Sequence, residues 1–67
     1  MSYEVRFDLD IMDMRNRART IKHYAIKIGK RDRPYTEAAD RLLSVTQELG
    51  RVGYSVLSVT DFRLEEV

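Results

Sequence analysis

The stretch Tyr3-Glu4-Val5-Arg6-Phe7-Asp8-Leu9-Asp10-Ile11 alternates apolar and polar side chains at nine successive positions. Side chains of an extended strand point to opposite faces in turn, so this period of two specifies a strand with one buried and one wet face. Tyr3, Val5, Phe7, Leu9 and Ile11 point inward. Glu4, Arg6, Asp8 and Asp10 point to solvent. The strand is predicted to run over about residues 3–14, with Met12 and Met14 falling on the outward phase.

The rest of the chain completes a small α+β pattern. Residues 15–19, Arg-Asn-Arg-Ala-Arg, have no apolar rhythm and read as a turn. A second strand is predicted over 20–29, with Tyr24, Ile26 and Ile28 on one face and Ile21, His23, Ala25 and Lys27 on the other. Gly29 to Pro34 reads as a loop broken by the proline. A helix is predicted over 36–49, with Thr36 as N-cap and Glu37 and Asp40 in the first turn. Its apolar side carries Ala39, Leu42, Leu43, Thr46 and Leu49. Gly50 stands where a C-cap glycine belongs, and Gly53 allows a second bend. A third strand is predicted over 54–64.

The expected architecture is one domain, 1–67, of order β-β-α-β. Its three-stranded sheet has spatial order 2-1-3, the first strand central and the helix on one face. A right-handed crossover sets the third strand parallel to the second and antiparallel to the first. Apolar matching suggests a register of Leu9 with Ile26, Phe7 with Ile28 and Ile11 with Tyr24, which sets Asp8 against Lys27. On the other side it sets Phe7 with Thr60, Val5 with Phe62, Arg6 with Asp61 and Glu4 with Arg63. Each opposite-charge pair contributes about 0.2–1 kcal/mol, enough to favour a register rather than to hold the fold. The same register turns Ser58 and Thr60 inward, unless a bulge near residues 60–61 shifts the phase.

Composition excludes several classes. The chain of 67 residues has no cysteine, hence no disulfide framework, thiolate metal site or cysteine nucleophile. It has no apolar run long enough for a membrane span, and its charged N-terminus does not read as a signal peptide. A cytoplasmic setting fits these features. A chain this short buries only about 60% of its unfolded surface, so its core is small. Catalysis is not expected, and neither is a cofactor or a metal. His23 is a lone histidine, the three glycines read as turn and cap residues rather than a phosphate loop, and Asp8 and Asp10 lie on an open sheet face.

Charge is distributed unevenly. Formal net charge is +1, yet residues 15–33 carry eight basic side chains and one acidic one. Beside the predicted arginine turn, the expected register leaves Met12, Met14, Ile21, Leu57 and Val59 on the face away from the helix. Clustered exposed apolar residues mark contact surfaces, and arginine rims are common around them. The leading expectation is therefore a non-catalytic protein-binding module using Met12, Met14, Arg15, Arg17, Arg19, Ile21, Leu57 and Val59. The same apolar face could instead pair with a second copy in a homodimer.

In size and order of elements the chain resembles the small phage-encoded inhibitors that bind and block a larger protein. That resemblance implies an inhibitor or modulator and assigns no residues. The alternative expectation is a DNA- or RNA-binding protein that uses a basic edge of Arg15, Arg17, Arg19, Lys22, Lys27, Lys30, Arg31 and Arg33. The two ends of that edge lie roughly 30 Å apart along the strand, close to the ~34 Å duplex repeat.

Overall fold

The computed structural model describes residues 2–29 and 33–67. Its elements are β1 (Tyr3–Asp13), β2 (Arg19–Gly29), α1 (Pro34–Arg51) and β3 (Tyr54–Glu66). The strands form one sheet in the order β2-β1-β3, and both neighbouring pairs are antiparallel. The chain is thus a small α+β domain with the alternating strand at its centre. Val5, Phe7, Leu9 and Ile11 are each at most 1% exposed and Tyr3 is partly buried against them, so the period-two pattern places its inward row on the core side. Ile28, Ala38 and Leu49 complete that core, with Leu42 and Val45 packed against it.

The helix begins earlier than expected and presents a different face. Pro34, whose missing N–H costs nothing in a first turn, opens α1 in place of a Thr36 cap. Arg33 occupies the N-cap position without a side-chain bond, and its carbonyl accepts the Glu37 N–H at 3.1 Å. The packed face runs Ala38, Leu42, Val45, Leu49, at spacings of four and three. Ala39 and Leu43, expected on that face, are exposed. Gly50 lies within the helix. The glycine that ends it is Gly53, with φ +94°, a left-handed conformation that costs a residue without Cβ nothing.

The registers differ from the expected ones in an instructive way. Against β2, Phe7 lies opposite Tyr24, Val5 opposite Ile26, Leu9 opposite Lys22 and Asp8 opposite His23. This is a four-residue offset from the expected pairing. An even offset leaves every side chain on its expected face. The turn sets it. Asp13 Oδ1 accepts the Arg15 N–H at 2.9 Å, Asn16 Oδ1 accepts the Ala18 N–H at 2.9 Å, and the Asp13 carbonyl accepts the Arg17 N–H at 2.7 Å. With Arg17 at φ +59°, these bonds close a tighter loop than the sequence reading assumed.

Against β3 the expected alignment holds only at the hairpin end, where Ile11 faces Val56. Two irregularities, between Asp10 and Ile11 and between Arg6 and Asp8 of β1, each insert an extra β3 residue. The second is the bulge that the sequence allows near residues 60–61, and Asp61 there has φ +53°. Between the bulges the phase is reversed. Val59 lies opposite Leu9, on the helix side, while Ser58 and Thr60 lie opposite Asp10 and Asp8, on the outer side. The expectation that Val59 faces outward and Ser58 and Thr60 inward is overturned by this inserted residue.

Candidate functional site

The register defines the whole outer face as five rows read from β2 across β1 to β3. They are Arg19–Met12–Ser55, Ile21–Asp10–Ser58, His23–Asp8–Thr60, Ala25–Arg6–Arg63 and Lys27–Glu4–Glu65. The face is therefore mostly polar, with Met12, Ile21 and Ala25 its apolar members. The expected pairs Asp8–Lys27, Arg6–Asp61 and Glu4–Arg63 are replaced by others. His23 Nδ1 lies 2.7 Å from Asp8 Oδ1, and the Arg6 guanidinium donates to Glu4 at 2.7 Å and lies 3.7 Å from Glu65. Arg63 lies 3.5 Å from Glu65. The acidic partners of Arg6 hold its guanidinium charge more firmly, raising its pKa, with the Glu4 hydrogen bond the chief cause.

A shallow depression of about 280 Å³ lies where Ala25, the smallest outward side chain of β2, faces Arg6, Asp8, His23 and Arg63. The His23–Asp8 pair borders it, and a carboxylate on one ring nitrogen orients an imidazole for proton transfer. The His23 side chain is 76% exposed, however, so water surrounds it and competes with any bound group. The arrangement orients a surface histidine beside an open depression.

The eight residues expected to meet a partner fall into two groups. Met12, Met14, Arg15, Arg17, Arg19 and Ile21 are contiguous at the hairpin and the adjoining end of β2. On the far edge strand Val59 lies opposite Leu9 and does not join the first group as the expected register implied, while Leu57 is the residue inserted between Val56 and Ser58. Within the first group Met14 and Ile21 are exposed and Met12 is half-buried. The Met14 N–H donates to the Gly53 carbonyl at 2.9 Å, fixing the turn to the end of the helix.

Two of the three turn arginines are engaged internally. The Arg15 guanidinium clamps both oxygens of Asp13, at 3.0 and 3.1 Å, and Arg19 pairs with Asp10 across the strands. The Arg15 side-chain bond, with its backbone N–H adding to it, holds the Asp13 carboxyl below the usual carboxylate range. The same contact raises Arg15, and the Asp10 hydrogen bond raises Arg19. Arg17 has no ion pair among the described residues.

The basic edge is not one surface. Lys22 lies opposite Leu9 on the helix side of β2, and Lys27 opposite Glu4 on the outer side. Arg33 is exposed at the start of α1, while Lys30 and Arg31 lie outside the described residues. Sequence reasoning missed Phe62, which it turned inward against Val5. Phe62 stacks beside Phe7 with ring centroids 6.2 Å apart, yet stays 40% exposed. Asp61 is the readable signal for it, since Asp tolerates the left-handed backbone that a bulge uses.

Every residue of β3 from Leu57 to Arg63 is exposed, whereas Tyr54, Val56 and Leu64 toward its two ends are partly buried against the core. An 18-residue helix is about 27 Å long, and the molecule extends 43 Å, so one helix cannot cover the sheet's full length. No protein-family model, curated protein or solved structure matches the chain. No helix among the described residues is long and apolar enough to cross a membrane.

Proposed function

We propose that the chain is a non-catalytic protein-binding module, a small inhibitor or modulator of a larger protein. One observation carries this reading. Among the described residues nine large apolar side chains are exposed, against seven apolar residues buried in the core. Eight further apolar side chains are partly buried against that core. A lone exposed apolar residue needs no explanation, but exposed apolar residues gathered at one end of a domain offer surface for another chain to cover. The hairpin group, with Met14 and Ile21 apolar and Arg15, Arg17 and Arg19 around them, has the apolar centre and arginine rim of many contact surfaces.

The nucleic-acid alternative has less support. Arg15 and Arg19 are engaged with carboxylates, and Lys22 and Lys27 lie on opposite faces. Immobilised chain and its Met14→Ser/Ile21→Ser variant, compared as baits, test the reading. A partner protein held by the first and lost by the second, with circular dichroism unchanged, supports it. A chain that captures no protein and sediments as a monomer at every concentration contradicts it. So does one that binds oligonucleotides with affinity falling steeply as salt rises.

A further inference from the structure

The two open edges of the sheet are built differently. β3 is interrupted by two bulges and by the left-handed Asp61, the devices that stop an edge strand from pairing further. β2 is regular, its register to β1 unbroken from Met12–Arg19 to Glu4–Lys27, and it contains no proline. The Asp13 N–H donates to the Ala18 carbonyl, so 13 and 18 form a hydrogen-bonded pair. In an antiparallel ladder such pairs alternate with non-bonded ones. Thr20, Lys22, Tyr24 and Ile26 therefore bond β1, and the backbone N–H and C=O groups of Arg19, Ile21, His23, Ala25 and Lys27 face the open edge.

Charge selects what can pair there. β2 carries Arg19, Lys22 and Lys27 and no acidic residue. Two copies pairing antiparallel about His23 would set Arg19 of each against Lys27 of the other, and like charges directly opposite are destabilising. Arg19 and His23 already have carboxylate partners, whereas Lys22 and Lys27 have no ion pair among the described residues. These two lysines sit five positions apart, about 17 Å along the strand, one on each face.

Resting on the protein-binding reading above, we propose that the open edge of β2 accepts an extended acidic segment of a partner protein as a fourth strand. Backbone bonds to Ile21, His23 and Ala25 hold the segment. Lys22 and Lys27 choose acidic side chains on its two faces. The edge rejects a second copy of the chain by the same charges.

The test uses two decapeptides of Val and Thr, one with three Glu and one with three Lys at the same positions, titrated into isotope-labelled chain. The glutamate peptide is expected to shift the amides of Ile21, His23, Ala25 and Lys27 and slow their hydrogen exchange, with the lysine peptide at least tenfold weaker. Ala25→Pro removes an edge-facing N–H and is expected to abolish the effect. Because proline could disturb the strand, Lys22→Glu/Lys27→Glu serves as the second variant, and it is expected to reverse the preference between the peptides. Equal binding of both peptides, no binding by the glutamate peptide at millimolar concentration, or equal shifts of the same amides by a thymidine decanucleotide would overturn strand addition. A protein partner whose capture survives Ala25→Pro overturns the inference alone. A chain with no partner at all overturns the reading beneath it.

Discussion

Phe7 of the central strand faces Tyr24 of the edge strand, their rings stacked with centroids 5.0 Å apart. On its other side Phe7 meets Phe62, so one buried ring joins all three strands across the register break in β3. Offset-stacked aromatic pairs contribute about 0.5–1.5 kcal/mol beyond their burial.

Phe7→Ala is therefore expected to be the most damaging of the core truncations in the sheet. Large aromatic-to-alanine changes in cores cost about 3–5 kcal/mol, and a domain of this length has a total stability of only about 3–10 kcal/mol. Urea unfolding should show the variant's midpoint lowered by a large fraction of the total stability, with Val5→Ala damaged less.

Asp13 links the turn to acid stability. Its folded carboxyl is held below its unfolded value, chiefly by the Arg15 side-chain bond. A depressed carboxylate contributes stability above its unfolded pKa, about 3.9, and loses that contribution as pH falls through the folded value. The Asp13 carboxyl is expected to titrate below that value by NMR, and Asp13→Asn to flatten the acid dependence of hairpin stability. An ordinary Asp13 titration would contradict the Arg15 clamp.

Gly50 and Gly53 should respond to alanine in opposite directions. Gly53 has φ +94°, and a Cβ there meets no atom within 4 Å, so its cost is backbone strain alone, about 1–2 kcal/mol. Gly50 lies in the helix with open space around it, and alanine there should add up to about 1 kcal/mol. Thermal melts of the two variants read the difference directly.

These particulars show what the sequence encodes in plain form. The buried row of β1 is legible because Val5, Phe7, Leu9 and Ile11 alternate without a break, and the sheet order follows from the centrality this implies. Register is harder, since offsets of two or four residues leave the faces unchanged and differ only through turn chemistry. Asp13 and Asn16 carry that chemistry as short bonds to Arg15 and Ala18, which apolar matching does not weigh. The phase of β3 depends on inserted residues at its bulges, and no period survives an insertion. For that reason Val59 separates from the hairpin surface to which a regular strand would have joined it.

Residue-resolved amide exchange along β2, free and with the glutamate peptide, tests the account most directly. In the free chain Thr20, Lys22, Tyr24 and Ile26 are predicted to exchange slowly and Ile21, His23, Ala25 and Lys27 quickly. With peptide the second set becomes slow as well. The inverse alternation, or fast exchange of the second set at saturating peptide, would contradict an open edge that receives a partner strand.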